Sequence, residues 1–396
     1  MFNSFKKHGQ SILGSMDPER SLAVDVFRGL TITLMILVNN PGSWSYVYWP
    51  LAHAEWHGWT PTDLVFPFFI FIVGMALSFK KVTKEESQLT LVLEAFNRGA
   101  KLFLIGLAIA LFYYDFLNPA YDWWQEKFFT IRVMGVLQRI GLVFFFSATL
   151  IYFSRPRGIV LWMIGLLIFY SGLMIFMPYQ LPDGSVAMGL WEKGNNFAAS
   201  IDHFILGRDH VYAGGNQPFS YDPEGLLTTL PSISSCLAGY LTGLYLKADS
   251  EAAKKVKTLF YAGIVLTMAA YGLSLYIPIN KALWTPSYVV LTTGLALATL
   301  ASLIYILDMK KARLWSAPFI VFGANALLFY VFSMIFARIL VIIPFKGREL
   351  QEVYYTDYLA PIFGNYAASL VFALLFLCFS YGLFYLLYKR QIFWKV

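Results

Sequence analysis

Apolar segments of roughly 20 residues recur along the whole chain, and they constrain its fold more than any other feature. A helix of about 20 apolar residues crosses the hydrocarbon core of a bilayer, whereas the strands of a membrane barrel alternate in polarity over about ten residues. Hydrophobic residues make up 58% of the chain and charged residues 13%, compared with about 25% charged residues in soluble domains. The sequence therefore predicts an all-α, polytopic integral membrane protein.

The apolar segments predict about ten transmembrane helices. They cover residues 22–38, 64–79, 99–117, 131–153, 158–177, 226–246, 258–278, 283–307, 316–344 and 359–388. Since no internal repeat of 20 to 50 residues is present, we expect a single transmembrane domain over residues 1–396. The one long connection, 178–225, is rich in Gly, Asn, Asp and Pro; it is either a functional loop or a plain solvated one.

The basic residues are distributed asymmetrically between the loops. Clusters at 80–84, 155–157, 254–257 and 310–313 all fall on one side of the predicted alternation. The positive-inside rule places that side, and both termini, in the cytoplasm. The net charge of +7 thus reflects membrane orientation, and nucleic acid is not an expected partner because basic and aromatic residues do not interleave on a predicted surface.

Residues 51–74 read LAHAEWHGWTPTDLVFPFFIFIVG and contain two of the five histidines in the chain. His53 and His57, with Glu55 and Asp63, suggest either a metal site or an acid-base site. A third strong ligand is missing at the usual spacing, so no metal is expected. An imidazole oriented by Asp63 would act as a general base near neutral pH, and histidines that only bond lipid headgroups or loops are the structural alternative.

Other polar residues lie inside or at the ends of the predicted spans. Asn39 and Asn40 end the first span, where their amides could stabilise an oxyanion or simply terminate the helix. Arg28 lies about 9 Å inside the same span, and an ion pair with Asp25 is its structural alternative. Arg132 and Arg139 are seven residues apart in the fourth predicted span and are expected to share one face, suited to an anion such as phosphate or satisfied by helix packing.

Six segments together resemble one known family. AVDVFRGLTITLMILVNNPG, LAHAEWHGWTPTDLVFPFFIFIVG, GVLQRIGL, YDPEGLLTTLPSI, INKALWTPSYV and GANALLFYVFSMIFAR occur in this order over residues 23–338. They resemble the heparan-alpha-glucosaminide N-acetyltransferase family and its bacterial relatives. The resemblance implies a transmembrane enzyme that takes acetyl-CoA from the cytoplasmic side and acetylates the amine of a terminal glucosamine on the opposite side.

The resemblance also implies roles for particular residues. The family's catalytic histidine corresponds to His53 and a family asparagine to Asn39, whereas His57 departs from the animal enzymes, which carry asparagine there. The mammalian enzymes also have an additional luminal region ahead of the matching block. The expected site comprises the catalytic residues His53, Asn39 and Asp63, the acceptor-binding residues Asn40, Glu55, Trp56, Asp222 and Glu224, and the CoA-binding residues Arg28, Arg132 and Arg139.

We therefore expect an amino-sugar N-acetyltransferase with His53 as general base and acetyl-CoA as co-substrate. Transfer would be direct or through an acetyl-histidine. A bacterial chain would lie in the cytoplasmic (inner) membrane, with the active site open to the non-cytoplasmic side, and would use free glucosamine or a cell-wall amino sugar. Partners would be the acceptor, acetyl-CoA and the lipid bilayer, with homo-oligomerisation left open. The alternatives are a secondary transporter of a small anionic or sugar solute and an acyltransferase with a hydroxyl acceptor or another donor.

Overall fold

The structure, a computed structural model, describes residues 2–15, 21–80, 87–212, 214–215 and 217–394. Within these ranges it is mostly helical, and its strands form two small antiparallel hairpins. The helices are α1 (Phe2–Gly14), α2 (Leu22–Asn39), α3 (Val65–Phe79), α4 (Gln88–Leu111), α5 (Val136–Phe153), α6 (Pro156–Phe176), α7 (Phe197–Leu206), α8 (Thr229–Lys247), α9 (Ala252–Leu273), α10 (Pro286–Ile304), α11 (Ala317–Ala324), α12 (Ala326–Ile342), α13 (Leu350–Val353), α14 (Ala360–Phe363) and α15 (Asn365–Lys389). The strands are β1 (Tyr179–Gln180), β2 (Val186–Ala187), β3 (Pro344–Phe345) and β4 (Arg348–Glu349). The predicted all-α class is confirmed, and residues 81–84 of the predicted basic loop lie outside the described residues.

Seven of the described helical segments are long and apolar enough to cross a bilayer. They are α2, α3 with its preceding turn (Pro61–Phe79), α5, α6, α9, α10 with the π-helical turn after it (Pro286–Met309), and α15. Helices α11 and α12 would form an eighth span as one pair bent by 76°. The count of ten spans and the cytoplasmic position of both termini remain predictions.

The other two predicted spans correspond to α4 and α8, which are more polar. Helix α4 carries Glu94, Arg98 and Lys101, and α8 begins with the polar sequence TLPSISSC. Helix α8 packs against α3, α5 and α6, and most of its residues are buried. A helix enclosed by other helices does not face lipid, so α8 tolerates small polar residues.

Helices α3 and α8 approach closely through small residues. A Cβ atom at Gly239 of α8 would lie only 1.9 Å from the carbonyl oxygen of Phe71 in α3. Only glycine therefore allows this contact, which resembles the small-residue packing common in membrane helices. The contact fixes α3, whose preceding turn carries Asp63 and so positions the predicted catalytic segment.

The described part of the connection 178–225 is folded. It contains β1, β2 and α7, and it buries the side chains of Asn196 and Asp202. The Asp202 carboxylate accepts hydrogen bonds from the backbone N–H groups of Leu226, at 2.9 Å, and Asp222, at 3.4 Å. Asp202 thereby holds the YDPEG turn against the bundle.

The apolar segment 316–344 is broken at Asn325 rather than continuous. The Asn325 amide nitrogen donates to the carbonyl of Ile392 at 2.8 Å, and its oxygen accepts from the N–H of Trp394 at 2.9 Å. The side chain thus holds the segment that follows α15 against the break between α11 and α12.

Candidate active site

Two cavities open at opposite ends of the same helices. The outer cavity, of about 420 Å³, is lined by the end of α2 and the start of α3, including Asn39 and Phe66. The inner cavity, of about 710 Å³, is lined by the start of α2 and the end of α3, including Arg28 and Lys80. The names follow the predicted topology. Arg28 and Asn39 lie on one helix, roughly 16 Å apart along its axis.

His53 and Asp63 are in direct contact at the outer cavity. The Nδ1 atom of His53 lies 2.7 Å from Oδ1 of Asp63. Asp63 is 1% exposed, whereas the His53 side chain is 43% exposed and lines the cavity. The pair therefore combines a buried carboxylate with an imidazole that a ligand can reach.

The turn before α3 holds the Asp63 carboxylate in place. Thr60 caps the turn Pro61–Leu64, and Thr60 and Asp63 bond each other reciprocally as a capping box. Oδ2 of Asp63 accepts from the backbone N–H groups of Thr60 at 2.9 Å and Ala54 at 3.0 Å, and from the Thr60 hydroxyl at 3.2 Å. These donors converge on Oδ2, and Oδ1 faces His53 and Lys281.

This arrangement determines what His53 can do chemically. Nδ1 faces both the carboxylate of Asp63, at 2.7 Å, and Nζ of Lys281, at 2.9 Å. We assign its proton to the shorter contact, the one with the carboxylate acceptor, so the lone pair of the neutral ring lies on Nε2. An imidazole in this tautomer is suited to remove a proton from a nucleophile.

Lys281 is the third charged residue at this site. Its Nζ lies 2.9 Å from Nδ1 and 3.3 Å from Nε2 of His53, and 3.4 Å from Oδ1 of Asp63. Lys281 belongs to the connection between α9 and α10 and lines the outer cavity. Sequence reasoning did not select it, although it lies inside the quoted block INKALWTPSYV.

The two asparagines at the end of α2 have different positions. Asn39 lines the outer cavity. Asn40 is buried, and its side-chain nitrogen donates to the carbonyl of Ile36 at 2.7 Å. Asn40 therefore closes the last turn of α2 and is not among the residues that line the outer cavity.

Glu55 and Trp56 also line the outer cavity. The Trp56 indole donates to the carbonyl of Trp191 at 2.8 Å and packs edge-on against Tyr221. His57 instead lies 3.4 Å from the amide nitrogen of Asn280 and is not a lining residue. Of the two histidines, the structure therefore brings only His53 to the cavity.

Arg132 forms an ion-paired cluster with the YDPEG turn. Its guanidinium bonds both oxygens of Asp222, at 2.7 and 2.5 Å, and also bonds Glu224. The predicted shared helical face with Arg139 is corrected, because α5 begins only at Val136 and Arg132 precedes it in a segment without regular secondary structure. Two carboxylates already pair with Arg132, so its contacts favour a structural role at the outer cavity over phosphate binding.

Arg139 is fully buried behind the outer cavity. It donates to the carbonyl of Gly225 at 3.1 Å and to the Thr228 hydroxyl, and its guanidinium lies 5.2 Å from the ring centre of Trp284. Its Nε and Nη1 atoms have no partner within the described residues. Arg139 is not a lining residue of either cavity, and its visible contacts connect α5 to the YDPEG turn.

The inner cavity is basic. Arg28, Lys80, Arg98 and Lys101 line it together with a single carboxylate, Glu94. Glu94 pairs with Lys80 at 2.7 Å, and Arg28 pairs with Asp25 at 2.9 Å. Arg98 and Lys101, both on α4, are the basic groups whose charge is least compensated among the described lining residues. Within the described residues, no group of three or more His, Cys, Asp or Glu side chains is arranged to hold a metal ion.

Comparison with known proteins places the chain in a family. Residues 20–278 match the family described as heparan-alpha-glucosaminide N-acetyltransferase, catalytic. That match covers more than half of the chain. The chain belongs to the heparan-alpha-glucosaminide N-acetyltransferase family. The predicted resemblance is confirmed.

Two curated relatives carry the family's name. The human heparan-alpha-glucosaminide N-acetyltransferase is 30% identical over 426 aligned residues, which cover 96% of this chain and 60% of the relative. The mouse protein of the same name is also 30% identical, over 95% of this chain and 60% of its own length. This member of the heparan-alpha-glucosaminide N-acetyltransferase family therefore spans about 60% of the length of these curated relatives.

Proposed function

We propose that the protein is a transmembrane N-acetyltransferase that transfers the acetyl group of acetyl-CoA to the amine of glucosamine or a related amino sugar. The observation that carries the proposal is the contact of His53 with the buried carboxylate of Asp63 in a cavity large enough for a small ligand. Membership in a family whose named relatives are N-acetyltransferases supports it.

His53 is proposed as the general base. The acceptor nitrogen attacks the thioester carbonyl while Nε2 of His53 takes the proton that the nitrogen loses. Asn39, which lines the same cavity, is proposed to donate to the oxyanion that forms on the carbonyl oxygen. Asp63 holds the ring in the required tautomer.

The inner cavity is proposed as the site of the CoA phosphates. Its positive excess suits an anion with several phosphate groups, and Arg28, Arg98 and Lys101 are the groups proposed to contact them. This assigns the donor to the predicted cytoplasmic side and the acceptor to the predicted outer side. Arg132 and Arg139, in contrast, are assigned to the support of the acceptor site, because their visible partners are on the YDPEG turn.

The two cavities nearly meet at α3. Phe66 lines the outer cavity and Phe69 the inner one, which places them one helical turn apart, or about 4.5 Å along the axis. A thioester carried on the extended arm of CoA would have to pass this partition to reach His53. Trp284 packs edge-on against Phe66 with ring centres 5.2 Å apart and so belongs to the same layer.

The test is acetyl transfer by purified, reconstituted protein. Acetyl-CoA and glucosamine are supplied, and N-acetylglucosamine and free CoA are measured by mass spectrometry. Wild type should form both products, His53→Ala should lose at least 100-fold in rate, and His57→Ala, the matched histidine outside the cavity, should retain most of it. Full activity in His53→Ala would remove the base assignment.

A secondary transporter is the competing function, and the bent pair α11 and α12 is the feature that favours it, because transporters often bind solutes at broken helices. The same assay separates the two functions. A transporter has no reason to release CoA, so acceptor-dependent release of CoA from wild-type protein supports the enzyme and its absence supports transport.

A further inference from the structure

Hydrogen bonds of the residues around Lys281 fix its backbone beside the proposed catalytic pair. The fully buried Asn280 accepts from the N–H of Leu283 at 2.9 Å and donates to the carbonyl of Trp56 at 2.9 Å. Trp284, whose N–H bonds the carbonyl of Lys281 at 3.1 Å, has a φ of 48°, an unusual value for a bulky residue. This turn aims the Lys281 side chain at His53 and Asp63.

Two lysines, Lys193 and Lys281, line the outer cavity, and Lys281 is the one in contact with both His53 and Asp63. Nζ lies 3.4 Å from Oδ1 of Asp63, which favours its ammonium form. An ammonium has three donors and no lone pair, so it cannot serve as a second base beside His53. It is a proton donor 3.3 Å from Nε2 of His53, next to the atom proposed to take the proton of the acceptor nitrogen.

Burial lowers the pKa of the Lys281 ammonium below its usual value, although the charge of Asp63 opposes the change. A less basic lysine gives up its proton more readily, which is useful in a general acid. The proposed reaction needs such a donor because His53, as the base, enters it without a proton on Nε2. The leaving group is a thiolate, which needs a proton to become a thiol. Among the described groups of the cavity wall that carry an acidic proton, Lys281 is the one that contacts both His53 and Asp63.

We infer that Lys281 is a second catalytic residue, the general acid that protonates the sulfur of the departing CoA thiolate. This inference rests on the proposed acetyl transfer. The amine nitrogen forms the new bond to the carbonyl carbon and loses its proton to Nε2 of His53. As the carbon–sulfur bond breaks, its electron pair goes to sulfur, which takes a proton from Nζ of Lys281.

His53 and Lys281 then exchange a proton and return to their starting protonation states. Protonated His53 lies within 3.3 Å of Nζ, so its proton passes to the lysine amine and restores the ammonium and the neutral imidazole. The amine has lost one proton and the thiol has gained one, so the protein ends each cycle unchanged. Asp63 contacts both partners in this exchange.

Two substitutions distinguish a general acid at position 281 from a lysine that only balances the charge of Asp63. Lys281→Met removes both the charge and the proton, whereas Lys281→Arg keeps the charge but cannot give up a proton in a protein. Each variant is assayed with glucosamine and two donors, acetyl-CoA and 4-nitrophenyl thioacetate, whose thiolate leaves without protonation. The ratio of the two rates in one sample does not depend on the folded fraction. Lys310→Met, an exposed lysine after α10, is the control.

If Lys281 is the acid, both variants lose about 100-fold with acetyl-CoA and less than threefold with the nitrophenyl donor, while Lys310→Met matches wild type with both. Near-wild-type activity of Lys281→Arg with acetyl-CoA would make Lys281 a counter-ion of Asp63 and overturn the inference. Equal losses with both donors would make it a positioning residue and also overturn it. Failure of wild-type protein to transfer from either donor would instead contradict the proposed acetyl transfer.

Discussion

Replacement of Asp63 by asparagine tests the proposed site most directly. The substitution keeps the size of the side chain but replaces one carboxylate oxygen with an NH₂ group. Three donors, the N–H groups of Ala54 and Thr60 and the Thr60 hydroxyl, converge on Oδ2, so the amide oxygen must occupy that position. The NH₂ group then faces Nδ1 of His53, where Oδ1 accepted a hydrogen bond at 2.7 Å.

The magnitude follows from the tautomer that this geometry imposes. Nδ1 then has no acceptor and faces two donors, the side-chain NH₂ group and Nζ of Lys281 at 2.9 Å. The ring proton therefore moves to Nε2, which removes the lone pair that would take the acceptor's proton. The equivalent change in a serine protease triad lowers kcat about 10⁴-fold, or about 5 kcal/mol at roughly 1.36 kcal/mol per factor of ten. We expect Asp63→Asn to lower the rate of acetyl transfer by about 10³- to 10⁴-fold.

Single-turnover transfer with preloaded acetyl-CoA measures this loss at the chemical step, and thermal unfolding in detergent is the control for folding. Because the amide oxygen still accepts from three donors, the Tm of Asp63→Asn should stay within a few degrees of wild type. Asp63→Ala should be less stable by about a further 1 kcal/mol, because it also loses the side chain that completes the capping box with Thr60. An Asp63→Asn protein with more than a tenth of the wild-type rate would refute the tautomer argument.

Two further outcomes follow from other parts of the structure. Arg98→Gln should raise the KM for acetyl-CoA about tenfold, as expected for one charged hydrogen bond to phosphate, and leave kcat nearly unchanged. Arg157 is exposed and lies outside the cavity, so the control variant Arg157→Gln should alter neither constant. Identical KM values for both variants would remove Arg98 from the donor site. Burial raises the pKa of Asp202 to about 7, and the hydrogen bond from the N–H of Leu226, which favours the charged carboxylate, only partly offsets this rise. The folded-state pKa thus exceeds the usual 3.8, so the stability that Asp202 contributes is complete below about pH 4 and is lost as the pH rises through 7. In a Tm series from pH 5 to 8, Asp202→Asn should flatten that fall, and parallel curves for the two proteins would contradict it.

Much of the fold could be predicted because membrane helices leave a strong signal in one sequence. Each of the ten apolar segments overlaps a described helix, although 99–117 continues past the end of α4 at Leu111, and the family resemblance is confirmed. The segment of α8 was found although its first turns are polar, because the apolar residues that follow extend the run. What failed was the start of α5. Ile131 and Val133 extend the apolar run and so predict a helix that includes Arg132, whereas Arg132 bonds Asp222 from a segment without regular secondary structure.

The candidate site, like the fold, could be predicted only in part from the sequence. His53 and Asp63 are ten residues apart, so a turn brings them together and local reasoning can anticipate the contact. Lys281 lies 228 residues from His53, and only the packing of the connection between α9 and α10 over the start of α3 brings it into the cavity. Asp202 was missed for a related reason, since a carboxylate in a polar loop has no sequence signal that marks it as buried.

The hold of Asn325 on the segment after α15 has a practical consequence for handling the protein. Trp394 lines the inner cavity and its backbone is bonded to Asn325, so residues near 394 form part of a ligand-accessible wall. An affinity tag or fluorescent protein fused directly after this segment could disturb the hydrogen bonds between the segment and Asn325, at the break between α11 and α12. Fusions should therefore be separated from residue 394 by a flexible linker, and donor affinity should be compared before and after the tag is cleaved.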